Sequence, residues 1–135
     1  MDCIFCKIIG NEIPAQKVYE DEDFIAILDI NPVSKGHALI IPKKHCVNLF
    51  DMNEELLEKT LKVAQKIGNA MKKALNTDSI NLIQNNGAYA GQLIFHSHFH
   101  LIPRFPDDGI KIGMVHKKYD EGEISKFAEM IRKGF

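Results

Sequence analysis

His96-Ser97-His98-Phe99-His100-Leu101-Ile102-Pro103-Arg104 places three of the chain's six histidines at alternate positions within five residues. Side chains alternate across an extended strand, so 96, 98 and 100 fall on one face and Ser97, Phe99 and Leu101 on the other. Neighbours on one face stand roughly 6–7 Å apart by that geometry, within reach of a common phosphate or metal ion. Imidazole titrates near neutrality, with an ordinary pKa of about 6.5, so such a row is suited to chemistry or to metal binding. A chance polar strand face is the competing reading, and clustered titratable side chains favour a site over it.

Outward from this segment, residues 93–102 read as one strand. The loop Asn85-Asn86-Gly87 through Ala90-Gly91 separates it from a second strand, Ile80 to Gln84. Leu56, Leu57, Leu61, Val63, Ala64, Ile67, Met71 and Ala74 recur at helical spacing, predicting one long helix from Glu54 to Leu75. Asp51 with Glu54 offers a capping box for it, and its lysines read as a solvated face. Nearer the N-terminus, Asp21-Glu22-Asp23 turns Val18-Tyr19-Glu20 into Phe24–Leu28, a hairpin. His37 to Ile41 forms a further strand ended by Pro42, Cys3 to Ile9 a short helix closed by Gly10, and about Glu123 to Arg132 a last helix. Hairpin strands with helices inserted between them predict an α+β domain on an antiparallel sheet. Without repeats or linkers, 135 residues read as one domain, 1–135.

Composition narrows the function classes. Seventeen Lys and Arg against eighteen Asp and Glu leave a net charge of −1, with no basic excess of the kind that nucleic-acid binding uses. Lys7 interrupts the N-terminal apolar run, which argues against a signal peptide, and no apolar stretch is long enough to span a bilayer. Three cysteines do not make a disulfide framework, so a reducing, cytoplasmic setting is expected. Cys3-x-x-Cys6 has the spacing of half a zinc site, which His45 and His96 could complete as Cys₂His₂; alternatively the two thiols are a small apolar helix turn. Cys46 reads as a buried thiol.

The segment Gly91 to Pro103 resembles the signature of the histidine triad (HIT) family, His-x-His-x-His followed by two apolar residues. Cys-Ile-Phe-Cys-Lys-Ile-Ile (3–9), Glu-Ile-Pro (12–14), Leu-Asp-Ile (28–30), Gly-His-Ala-Leu-Ile-Ile-Pro-Lys-Lys-His (36–45) and Asn-Asn-Gly (85–87) follow the family's order, so the resemblance covers most of the chain. It implies a five-stranded antiparallel sheet with one long and one or two short helices, a homodimer, and a C-terminal extension over about 104–135. In that extension His116, Lys117 and Lys118 read as solvated surface.

The resemblance also implies a nucleotide hydrolase or transferase working at an α-phosphorus through a covalent nucleotidyl-histidine. His98 would be the nucleophile, with its tautomer fixed by the main-chain carbonyl of His96. His100 would hydrogen-bond the phosphoryl oxygens, and His37 would support the far end of the row. Asp29 would accept from ribose hydroxyls, which requires two acceptor oxygens. Phe5, Ile8, Ile13, Ile30 and Leu39 would wall a purine pocket, and Asn85, Gly91 and Gln92 would lie near the phosphate. Cys3, Cys6, His45 and His96 match ligands of zinc-containing members. The N-terminal segment is more similar to the Hint-like phosphoramidase branch than to dinucleoside polyphosphate hydrolases. Leu93 departs from the Ser or Thr of many relatives and cannot assist a leaving group, which keeps open a purine-nucleotide-binding module with little turnover. A metal-dependent hydrolase is disfavoured because no acidic residue adjoins the triad.

Overall fold

The computed structural model describes residues 2–135. Its strands are β1 (Lys17–Glu20), β2 (Phe24–Leu28), β3 (Ala38–Pro42), β4 (Ser79–Ile83) and β5 (Phe99–Arg104); its α-helices are α1 (Ile4–Ile9), α2 (Glu54–Leu75) and α3 (Glu123–Arg132). The strands form one sheet in the order β1-β2-β3-β5-β4, each neighbouring pair antiparallel. The α+β architecture with one long helix is the expected one.

Side-chain alternation divides the core between two faces. Phe24, Ala26, Ala38, Ile40, Phe99 and Leu101 pack with Leu56, Val63, Ala64, Ile67 and Met71 of α2. Ile25, Ile27, Leu39 and Ile41 pack with Phe5 and Ile8 of α1. β2 and β3 are thus buried on both faces, which is why they read as continuous apolar runs. Each large apolar side chain so buried contributes about 1.5–3 kcal/mol. At the β1–β2 turn, Asp21 Oδ1 accepts from the N–H groups of Asp23 and Phe24 at 2.8 and 2.7 Å.

Two expectations are corrected. Asn53, not Asp51, caps α2, its side chain accepting from the Leu56 N–H. Asp51 instead closes the 3-10 turn Leu49–Asp51, accepting from the N–H groups of Val47 and Asn48. Met52 is extended between the two turns, with φ −69 and ψ 138, so the helix cannot reach back to Asp51. The histidine strand likewise begins at Phe99 and not at residue 93, because residues 94–96 bend. Ser97 N–H donates to the Cys46 carbonyl at 2.7 Å, and the ladder with β3 starts only at Ile40 opposite Phe99. Alternation nevertheless persists: Ser97 turns to Gln84 and Met52, while His96 and His98 meet Phe5.

Beyond Arg104 the chain leaves the sheet. The Arg104 guanidinium holds Asp108 by paired contacts of 2.8 and 3.0 Å, and α3 follows with no buried residue. Among the described residues no helix is long and apolar enough to cross a membrane.

Candidate active site and thiol–imidazole cluster

The face of the sheet opposite α2 forms the floor of a cavity of ≈ 550 Å³. Phe5, Ile8, Ile13, Ile30 and Leu39, expected to wall a purine pocket, all line it, as do Asp29, Asn85, Gly91, His98 and His100. Ile30 and Leu93 stand at its mouth, 91% and 89% exposed. Gly91 has φ +89, a backbone conformation that favours glycine, while a Cβ there would make only ordinary contact with Asn85 Nδ2 at 3.5 Å. Among the described lining residues Asp29 is the one charged side chain besides the imidazoles; no Lys or Arg lines the cavity.

His98 and His100 present different atoms to that space. His98 Nδ1 lies 2.7 Å from the His96 carbonyl, which can only accept, so the proton sits on Nδ1 and Nε2 keeps its lone pair. His100 Nδ1 lies 2.9 Å from His37 Nε2. No buried side-chain nitrogen or oxygen among the described residues lacks a partner, and neither Nε2 has one, so both open to the cavity. Burial, reinforced by the His98 and His37 imidazoles, pushes the His100 pKa down to about 4. Burial likewise lowers that of His37, with the Asp29 carboxylate opposing it. Asp29 Oδ1 accepts from the Asn31 N–H at 2.8 Å, and Oδ2 stands 3.9 Å from His37 Nε2.

His96 belongs to a second group. Its ring is fully buried, and Nε2 donates to the Pro42 carbonyl at 2.8 Å, so Nδ1 carries a lone pair. Around that atom stand Cys3 Sγ at 3.4 Å, Cys6 Sγ at 3.6 Å and His45 Nδ1 at 3.1 Å, with Cys6 Sγ 3.4 Å from His45 Nδ1. All four ligand atoms lie within 4.8 Å of one another. Zinc bonds of about 2.3 Å to sulfur and 2.0–2.1 Å to nitrogen, at tetrahedral angles, separate ligand atoms by about 3.3–3.8 Å. One lone pair cannot satisfy three polar neighbours by hydrogen bonding, whereas a cation satisfies all four donors at once. The set fits zinc, and the Pro42 carbonyl is the outer partner that a ligating imidazole requires. Burial, with the neighbouring Cys3 thiol, also raises the pKa of Cys6. Cys46 stands apart, buried, its thiol pushed up to about 11.

Gln92 is placed differently from its expected companions. It is buried outside the cavity lining, its Oε1 accepting from the Gly87 N–H and its Nε2 donating to the Val47 and Ile94 carbonyls. Its amide is fully engaged in bracing the loop between β4 and β5. Two contributors had no signature in the sequence, the Pro42 carbonyl and the Val33 N–H, which donates to His37 Nδ1 at 3.2 Å. Both are main-chain atoms, so no residue type could mark them.

Known proteins share this fold. A crystal structure from Streptococcus mutans superposes with a TM-score of 0.92 at 44% identity, over 98% of this chain and 85% of its own. A zinc-bound histidine triad family protein from Mycobacterium smegmatis superposes with a TM-score of 0.78 at 35% identity, over 98% of both chains. The adenosine 5'-monophosphoramidase of Saccharomyces cerevisiae is 42% identical over 125 residues, 92% of this chain and 77% of the yeast protein. Residues 10–107, from the end of α1 through the histidine segment, match the HIT domain as a family, and on that extent of agreement the chain belongs to it.

Proposed function

We propose that the chain hydrolyses or transfers at the α-phosphorus of purine nucleoside phosphoramidates or adenylates, through a covalent nucleotidyl-His98. The observation that carries this is the free lone pair of His98 beside the second free imidazole nitrogen of His100, facing a cavity that no Lys or Arg lines among the described residues. His98 Nε2 forms the N–P bond as the bond to the leaving group breaks and its electron pair departs with that group. The His98 Nδ1–H, held by the His96 carbonyl, steadies the positive charge that develops on the ring. His100 stabilises the charge on the phosphoryl oxygens, a contribution worth about 10²–10³ in kcat for a comparable donor. The departing group takes up a proton from solvent; water then attacks phosphorus and releases a proton to solvent as the P–O bond forms, the N–P bond breaks and Nε2 recovers its lone pair. Asp29 and the apolar wall hold ribose and base.

Among the described residues no Lys or Arg lines the cavity to counter the additional charges of a dinucleoside polyphosphate, which supports phosphoramidates and adenylates as the substrates. The monophosphoramidase activity in the name of the yeast relative supports the same branch. Leu93 at the mouth gives no proton to a leaving group, so groups that depart easily are preferred. The decisive measurement is mass spectrometry after brief incubation with an adenosine phosphoramidate: an AMP adduct on His98 is expected, and turnover by His98→Ala equal to wild type rules the mechanism out.

Zinc at Cys3, Cys6, His45 and His96 completes the reading. Bound there, it would pin α1, with its Phe5 wall, to the residue that orients His98; it enters no chemical step. We further infer a homodimer. Leu61 and Leu82 are exposed, and Ile124, Phe127, Met130 and Ile131 leave α3 with a largely exposed apolar face, with Tyr119 against Phe127. A monomer mass by light scattering at micromolar concentration contradicts this.

A further inference from the structure

We infer that the main-chain N–H of Val33 is a positioning group: through His37 it decides which nitrogen of His100 carries the proton in the cavity. Two neutral imidazoles in contact at 2.9 Å can share one proton in either sense. Either His37 Nε2–H donates to His100 Nδ1, or His100 Nδ1–H donates to His37 Nε2. The contact is symmetrical in kind, and a third group has to break the tie.

Val33 does so because an amide N–H can only donate. It lies 3.2 Å from His37 Nδ1, which must therefore accept, leaving the His37 proton on Nε2. His37 then donates to His100 Nδ1, and neutral His100 presents Nε2–H to the cavity. The opposite arrangement would set two N–H groups against each other at the buried end of His37. A lost buried hydrogen bond biases such an equilibrium roughly 10- to 100-fold.

The loop between β2 and β3 is built to hold this amide in place. His37 N–H donates to the Ser34 carbonyl at 2.9 Å, and Asp29 N–H donates to the His37 carbonyl at 2.9 Å. The turn thus fixes the Val33 N–H against the ring of a residue four positions on, while the Val33 side chain is half exposed and packs little. His98, fixed by a carbonyl, and His100, fixed at one remove by an N–H, are held as opposite tautomers. One offers a lone pair and the other a donor, as attack on a phosphoryl centre requires; this consequence, though not the tautomer itself, rests on the function proposed above.

The test is long-range proton–nitrogen NMR of the imidazoles in the full, metal-loaded chain at neutral pH. Nε2–H forms of His37 and His100 are expected, beside an Nδ1–H form of His98. Val33→Pro, which removes the donor, is expected to shift His37 and His100 toward Nδ1–H and to lower kcat on an adenosine phosphoramidate at least tenfold, with KM changed less than about threefold. Val33→Ala keeps the N–H and is expected to keep the wild-type ring spectra. His37→Gln can turn either its N–H or its carbonyl to His100 Nδ1, which removes the link to Val33, so adding Val33→Pro to it is expected to leave the His100 tautomer unchanged. An Nδ1–H form of His100 in wild type, or unaltered spectra in folded Val33→Pro, overturns the inference. If Val33→Pro fails to fold, the wild-type spectra decide: an Nδ1–H form of His37 or His100 overturns the inference. Expected spectra in a wild type without turnover support the tautomer assignment and count against the hydrolase reading alone.

Discussion

Two pairs of imidazoles meet at nearly the same distance and mean different things. His45 and His96 approach through their Nδ1 atoms at 3.1 Å, and His37 and His100 through Nε2 and Nδ1 at 2.9 Å. Behind His96 stands the Pro42 carbonyl; behind His37 stands the Val33 N–H. The carbonyl takes the proton to the far nitrogen and leaves a lone pair in the contact, whereas the N–H drives the proton into it. The first pair, beside two thiols, thereby has the lone pairs that a metal would need; the second is a hydrogen-bonded chain ending in a donor. Asp29, His37 and His100 also bring ligand atoms within 4.8 Å of one another, yet a metal there would have to displace the proton that His37 already shares. A histidine contact takes its chemistry from the group on the ring's other side.

Metal removal breaks the contrast with the largest effect. Elemental analysis is expected to find about one zinc per chain, and Cys6→Ser or a strong chelator to lower the unfolding temperature by more than about 10 °C, because binding to a structural site is folding free energy. A metal-free preparation with the same midpoint in chelator rules out the zinc reading. His100→Gln probes the other pair. It is expected to retain its zinc and its midpoint within about 3 °C while kcat falls roughly 10²–10³-fold. Zinc loss on replacing His100 would mean that the two pairs are not separate.

Much of this was legible in the sequence, and the rest was hidden for definite reasons. The alternation at 96, 98 and 100, the Cys3-x-x-Cys6 spacing and the apolar periodicity of α2 are side-chain patterns, and each reappears in the fold. The resemblance implied the His98 tautomer, but which nitrogens of His96, His37 and His100 are free could not be read, since Pro42 and Val33 act through main-chain atoms brought up from other segments. Leu93-Ile94-Phe95 looked like strand because it is apolar, but Leu93 and Phe95 are exposed and the run bends along the cavity mouth. The helix start was misplaced because Asp51, three residues before Glu54, has the spacing of a capping box, whereas in the fold Asp51 closes the preceding 3-10 turn and Asn53 caps the helix. Gln92 was placed near the phosphate by the resemblance, whereas three main-chain partners claim it in the fold.

Acid separates the two pairs by a smaller but cleaner effect. His100 is kept neutral by burial and by the His98 and His37 rings, with Asp29 opposing, so its pKa lies at about 4. The unfolded chain, with an ordinary value of about 6.5, binds more protons in between. The stability that the neutral ring provides is therefore complete above pH 6.5, is lost progressively toward about 4 and falls no further below that. His100→Gln is expected to flatten the unfolding free energy across this window, measured by denaturant titration at several pH values. The thiol–imidazole set also weakens in acid, because protons compete with metal for its ligands. That loss depends on zinc concentration, and excess zinc is expected to offset it. The His100 contribution is indifferent to zinc, so a His100→Gln profile matching wild type in excess zinc would show that the imidazole chain on the cavity floor carries none of the acid sensitivity.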